Sequence, residues 1–347
     1  MNTHTIGTYN MSFMSDLTAP IGPKMAFASE GAFLARLYGD EPGRRSFWEN
    51  AKGLLRSFII DESPCAIGLQ EINKTEGTNT GSDAIDQMLL EFPNYKQICR
   101  NVPTNNAGVS IIFNTETLGD DVESVIIDNP NQAGRPILMV LTSGGYLLIS
   151  IHGAQNPGLR LNQTAFNEYM INNNKNTIES KASEFIQGKN ISQIFIMGDF
   201  NDRYDAIKNI NINGMTATYS GTAPKSCCYN WDSSCEDADL EDGGFSCKEP
   251  ASMKNATGMK ISLDARGATK NYKYAGDKVF GLNPSSDMVI YRPSPHADGI
   301  SKESDHELVY ASFGVNSNRN KVNKSGGRRN RKTRRKLNRK RKTRRRN

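Results

Sequence analysis

Six times along the chain a short apolar, β-type run adjoins polar residues of catalytic type, and that recurrence limits the fold more than any other feature. His4 to Phe13 delivers Asn10, Cys65 to Leu69 leads into Gln70 and Glu71, and Tyr146 to Ile151 delivers His152. Ile194 to Met197 is broken by Gly198 and followed by Asp199, Phe200 and Asn201. Asp287 opens Met288 to Tyr291, and Ser304, Asp305 and His306 precede Glu307 to Phe313. In an extended segment residues i and i+2 point the same way, so Asp199 and Asn201 can address one ligand from the rim of a sheet. Gly, Asp and Asn are also turn formers, and any one such site reads equally well as a turn. Repetition favours the functional reading.

The intervening segments supply the layers. Phe47 to Ile60 and Ser82 to Phe92 have helical apolar spacing, and Gln163 to Gln187 places Phe166, Met170, Ile178, Ala182 and Phe185 or Ile186 on one helix face. Tyr95 to Arg100, Val109 to Phe113, Ile137 to Leu141 and Tyr146 to Ile151 are β-rich, and Ser143, Gly144 and Gly145 join the last two as a tight hairpin. Strands this apolar need cover on both faces, which two stacked sheets with helices outside provide. A 347-residue chain that is 37% hydrophobic has material for such a core. No run reaches the roughly 18 apolar residues of a membrane span, and the N-terminus lacks signal-peptide blocks. A soluble, intracellular monomer is expected.

Taken in order, Asn10, Gln70-Glu71, His152, Gly198-Asp199-Phe200-Asn201, Ser286-Asp287 and Ser304-Asp305-His306 resemble the endonuclease/exonuclease/phosphatase superfamily, the deoxyribonuclease I-like fold. The resemblance runs from residue 4 to 313. It implies a four-layer α/β/β/α sandwich, two mostly antiparallel sheets packed face to face with outer helices, as one catalytic domain over 1–315. It also implies a carboxylate partner for His306, here assigned to Asp287, and for His152 the role of acid toward the leaving oxygen. The segment Asn105, Asn106, Ala107, Gly108 lacks the carboxylate that supports this histidine in deoxyribonuclease I-like nucleases, so metal-bound water is the alternative proton source. The abasic-site branch carries an aspartate where this chain has Ser12 and a tyrosine where it has His152, which argues against that branch.

Residue chemistry fills in the rest. Phosphodiester hydrolysis needs screening of the phosphate charge, an in-line water, and a proton or metal for the leaving oxygen. Glu71, helped by Asn10 and Asp305, suits Mg²⁺ or Mn²⁺ rather than zinc. A core role for Glu71 would require a buried basic partner, and none is near it in sequence. Asp199 orients or deprotonates the water, and Asn201 donates to a phosphate oxygen without adding charge. A nearby carboxylate favours the charged His306 ring that grips phosphate. Gln155 and Asn156, just behind His152, read as phosphate contacts or as loop.

The formal charge of +6 hides two opposite parts. Residues 319–347 hold 17 of the 43 Lys and Arg and no acid, so the remainder carries 26 basic against 37 acidic residues, about −11. A tail over 316–347 of this composition is expected to be disordered and to bind DNA, RNA or another polyanion, or to serve nuclear import or packaging. Abundant asparagine and the Gly-Gly-Arg-rich terminus are similar to proteins of large DNA viruses, with the nucleus or a cytoplasmic viral factory as the implied location. Residues 222–250 lose all periodicity and hold Cys227, Cys228, Cys235 and Cys247 without paired zinc spacing, which reads as a surface insertion. Tyr229 and Trp231 there can stack on a base or anchor the loop.

Three functions follow: a metal-dependent nuclease acting on DNA or RNA; a phosphatase or phosphodiesterase on inositol phosphates, lipid head groups or DNA-protein adducts; or a non-catalytic nucleic-acid-binding virion protein.

Overall fold

The structure is a computed structural model. It describes residues 3–11, 41–72, 81–100, 108–130, 135–154, 156, 162–229, 272–293 and 306–315. One unit runs from Thr3 to Gly314. Its elements begin with β1 (Thr3–Asn10), α1 (Glu41–Glu62), β2 (Ala66–Gln70), α2 (Gly81–Leu89), β3 (Tyr95–Arg100), β4 (Val109–Asn114) and the short α3 (Thr115–Leu118). There follow β5 (Asp121–Asp128), β6 (Pro136–Thr142), β7 (Tyr146–His152), α4 (Gln163–Met170), a π-helical turn (Ile171–Lys175) and α5 (Asn176–Phe185). The remaining strands are β8 (Gln193–Asp199), β9 (Asn209–Ile212), β10 (Met215–Thr218), β11 (Cys227–Tyr229), β12 (Tyr272–Tyr274), β13 (Asp277–Gly281), β14 (Val289–Ile290) and β15 (Val309–Gly314).

Two large sheets result. The first has the order β14-β15-β1-β2-β4-β3 and the second β5-β6-β7-β8-β13-β10-β9. Only β1 with β2 and β7 with β8 pair in parallel within these sheets; their other ladders are antiparallel, as expected. The hairpin at Ser143 to Gly145 joins β6 to β7. β11 and β12 form a separate ribbon, so the cysteine-containing segment opens with a strand. Cys235, Cys247 and Trp231 lie outside the described residues.

Period-two alternation decides which side chains meet between the sheets. Along β2, Ile67 and Leu69 join the cluster under α1, while Ala66 joins the inter-sheet core. Gly68 sits at a close approach of the two sheets: a Cβ there would lie 2.6 Å from Met197 Cβ on β8. On α1, Ala51, Leu54, Leu55, Phe58 and Ile59 recur at i, i+3, i+4, i+7 and i+8, a stripe that packs with Tyr9, Ile67 and Leu69 on the outer side of the first sheet. Burying a side chain such as Phe58 contributes about 1.5–3 kcal/mol. α4 and α5 place Phe166, Met170, Ile178 and Ala182 in the core that includes β7 and β8. The layers therefore run helix, sheet, sheet, helix.

Two expectations change. The helix over Gln163 to Gln187 is interrupted by the π-helical turn, where buried Asn174 bonds to loop backbone. The strand after Asp287 shrinks to Val289–Ile290, which among the described residues pairs with β15 at the sheet edge.

Candidate active site

β7 and β8 run in parallel with His152 opposite Asp199, and β13 runs back with Asp277 opposite Asp199. In the other sheet β1 ends at Asn10 beside Gln70, and Glu71 follows at once. The rim ends of four strands and the start of a fifth thus meet at one mouth. Each strand's last inward position there is polar, and Asn10, Glu71, His152, Asp199, Asp277 and His306 are all buried.

Asn10 links the two sheets. Its Nδ2 donates to Glu71 Oε1 at 3.2 Å and to Asp199 Oδ2 at 3.3 Å. His152 Nε2 lies 3.7 Å from Glu71 Oε1 and 3.8 Å from Asp199 Oδ2. Below them Thr8 Oγ1 donates to Gln70 Oε1 at 3.1 Å and Gln70 Nε2 donates to Ser150 Oγ at 3.2 Å. Gln70 is therefore an inter-sheet tie beneath the site. Glu71 has φ +58°, a left-handed conformation unusual for a long side chain, and it turns the carboxylate into the mouth just beyond the last strand residue.

Asn201 departs from the strand-based expectation. The strand stops at Asp199, and Asn201 takes φ +52° in the following loop. Its backbone N–H donates to Asp199 Oδ1 at 2.8 Å, and its Nδ2 donates to Gly153 O at 3.0 Å. Asp199 is thus fixed at both oxygens. The Asn201 amide has a second hydrogen with which to donate.

The partner of His306 is Asp277, not Asp287. Nδ1–H of His306 donates to Asp277 Oδ2 at 2.9 Å, and Ser226 Oγ donates to the same oxygen at 2.8 Å. The β8–β13 register brings Asp277 to the rim. Asp287 instead accepts from Ser220 Oγ at 2.6 Å and lies beside Gly221, where a Cβ would stand 2.7 Å from its carboxyl carbon. Burial pushes the Asp277 carboxyl up, with the His306 ring opposing the shift. Asp277 Oδ1 is buried and has no hydrogen-bond partner among the described residues. Oxygens of Asp199 and Asp277 and a ring nitrogen of His306 all lie within 4.8 Å of one another, a group able to hold a metal ion.

The fold also brings a basic side chain close enough to Asp199 and Glu71 to feel their charge, which the sequence near Glu71 did not offer. Arg135, just before β6, donates through Nη1 to His152 Nε2, and its guanidinium feels the charges of Asp199 and Glu71. Burial lowers its pKa, opposed by those two carboxylates. Arg135 lies outside every apolar run and carries no sequence signal of its own. Asp277 was missed too, although Gly276-Asp277 ahead of Val279 and Phe280 pairs a rim acid with an apolar run, as Gly198-Asp199 does.

A buried ion pair stiffens the loop behind the site. Lys278, fully buried on β13, donates to Asp202 Oδ2 at 2.6 Å and lies 2.7 Å from Asp205 Oδ1. Asp202 also accepts from the backbone N–H groups of Ala206 and Ile207 at 3.0 and 2.7 Å. Asp305, Gln155 and residues 316–347 lie outside the described residues.

No family model and no curated protein matches the chain. Among solved structures, truncated Caenorhabditis elegans TDP2 is similar at a TM-score of 0.50 and 14% identity, over 90% of this chain and 98% of that one. ANGEL2, described as a 2',3'-cyclic phosphatase, aligns at 0.48 and 12% over 90% and 96%. An endonuclease/exonuclease/phosphatase family protein from Leptotrichia buccalis aligns at 0.46 and 11% over 90% and 100%.

Proposed function

We propose that this chain, which has the fold of the endonuclease/exonuclease/phosphatase superfamily, is a divalent-metal-dependent phosphoesterase, and specifically a nuclease hydrolysing phosphodiester bonds in DNA or RNA. One observation carries the reading: Asn10, Glu71, Asp199 and the Asp277–His306 pair converge from both sheets at one mouth. A packing role accounts poorly for so many ionisable groups buried together, each costly to desolvate.

The residues fit a hard cation. Glu71 and Asp199 bring carboxylate oxygens to the two sides of the Asn10 amide, and the buried Asp277 Oδ1 has ligand capacity to spare. Glu71 and Asn10, with Asp305, would hold Mg²⁺ or Mn²⁺, which when bound screens phosphate charge and stabilises the leaving oxygen.

The chain's own groups do the rest. Asp199, aimed by the Asn10 amide and the Asn201 N–H, orients the attacking water and accepts its proton. The Asp277 carboxylate holds the His306 ring by Nδ1, so the ring presents its Nε2 edge to a phosphate oxygen. Asn201 offers its second amide hydrogen to the same group. His152 is assigned to the leaving-oxygen side of the site, and Arg135, which donates to its Nε2, adds positive charge for an anionic substrate.

Small phosphate esters are the second reading, favoured by the net charge of about −11 outside the tail. Under the nuclease reading, the basic residues of 319–347 offset that charge by binding the polyanion. A panel of plasmid DNA, RNA, a tyrosyl-DNA adduct and phosphoinositides, run with Mg²⁺ or Mn²⁺ on wild type and Asp199→Ala, tests the assignment. Nucleic-acid cleavage lost in the variant supports a nuclease; variant-sensitive turnover of phosphoinositides alone selects the second reading.

A further inference from the structure

We propose that Asn174 is a positioning residue that sets the separation of the two strand ends bearing His152 and Asp199; this rests on the phosphoesterase reading. Asn174 is fully buried in the π-helical turn between α4 and α5. Its Oδ1 accepts from Ala154 N–H at 2.8 Å, and its Nδ2 donates to Phe200 O at 2.9 Å and Ala154 O at 3.3 Å. Ala154 stands two residues beyond His152, and Phe200 directly follows Asp199. One side chain therefore grips both rim loops by their backbones.

Those loops are also joined directly. Gly153 N–H donates to Asp199 O at 2.6 Å, and Asn201 Nδ2 donates to Gly153 O. A Cβ at Gly153 would lie 2.6 Å from Phe200 O, so there is no slack between the segments. The remaining inward polar groups, Ala154 N–H, Ala154 O and Phe200 O, are those that Asn174 takes. The same turn reaches a third segment: Asn129 Nδ2 donates to Asn173 O at 3.0 Å, while Asn129 N–H donates to Arg135 O at 3.3 Å. The segments that follow His152 and Asp199, and the one that holds Arg135, are thus referenced to one helical turn.

The helix itself marks the position. Phe166, Met170, Asn174, Ile178 and Ala182 are buried at strict four-residue spacing, and Asn174 alone is polar. A repeat of four drifts around a helix of 3.6 residues per turn, and the wider π-turn takes up that drift. A leucine would suit the stripe better for burial alone. An amide there has a reason only if the loops need a donor and an acceptor at one point.

The test uses the full chain with Mn²⁺ and bis(p-nitrophenyl) phosphate, comparing wild type, Asp199→Ala, Asn174→Leu and Asn174→Ser, whose hydroxyl is too short to bridge both loops. The expected result is a kcat about 10- to 100-fold lower in the Asn174 variants, the scale set by misplaced reacting groups, with KM within about 3-fold. Hydrogen exchange should speed up at the Ala154 amide while Ile149 and Ile196 in the strand interiors keep their protection. A folded Asn174 variant with wild-type kcat, or exchange that rises equally at all three amides, overturns the proposal. Absence of Asp199-dependent turnover in wild type overturns the phosphoesterase reading instead, and is told apart by the Asp199→Ala control.

Discussion

Asp277 faces Asp199 across the antiparallel β8–β13 ladder, and from that position it accepts the Nδ1–H of His306 at 2.9 Å. The ladder register thereby sets two acids and an imidazole in one place, although the residues lie 78 and 29 positions apart in sequence.

This pairing separates two aspartates only ten residues apart. Asp277→Asn should lower phosphodiester turnover by at least about 100-fold, the scale of a lost acid–base or orienting group. Asp287→Asn, at a carboxylate that among the described residues accepts from the Ser220 hydroxyl, should stay within about 3-fold of wild type. Steady-state kinetics on the two purified variants checks this, and the reverse ranking would restore Asp287 as the partner.

Lys278 stabilises the loop that follows Asp199. Lys278→Met leaves the Asp202 carboxylate buried without its cation, and breaking such a pair costs about 3–5 kcal/mol. Urea denaturation followed by circular dichroism should record a loss of that order. A loss under about 1 kcal/mol would mean that the backbone N–H groups of Ala206 and Ile207 suffice for Asp202.

Cys65 should behave as an inert thiol. Burial pushes its pKa up to about 11 from 9.0, and its Sγ lies 3.0 Å from His4 Nδ1. Because the folded value is raised, the associated stability is fully present below pH 9 and is lost as pH rises through about 11. Labelling with a disulfide reagent at pH 8 should be slow in the native protein and fast in urea. Rapid native labelling at pH 8 would contradict the burial.

Much of this fold could be read in advance because its strands end where their chemistry begins. The apolar runs before Asn10, Glu71, His152 and Asp199 fixed both strand position and inward face, since alternation makes the last inward residue a rim residue. Asp287 misled because it also precedes an apolar run, whereas the choice between it and Asp277 depends on ladder register, a long-range property. Asn201 misled because a left-handed residue ends the extended geometry on which i and i+2 reasoning relies. Arg135 lies outside any periodic segment, so only tertiary packing brings it to His152. Asn174 left one trace, a polar residue in the middle of an apolar helical stripe.

Under the nuclease reading, removal of residues 319–347 should weaken DNA or RNA binding and flatten its salt dependence, because fewer phosphate counterions are released. Hydrolysis of a small synthetic phosphodiester should be nearly unchanged. Fluorescence anisotropy across a salt series measures the first effect, and equal slopes with and without the segment would remove it from substrate binding.

The most direct measurement is hydrolysis of bis(p-nitrophenyl) phosphate by the full chain in EDTA, Mg²⁺ and Mn²⁺, with Glu71→Gln, Asp199→Ala and His306→Ala alongside wild type. Turnover that requires the divalent ion and falls at least about 100-fold in each folded variant is the predicted result. Metal-independent turnover, or full activity in the variants, would contradict a shared catalytic centre at this rim.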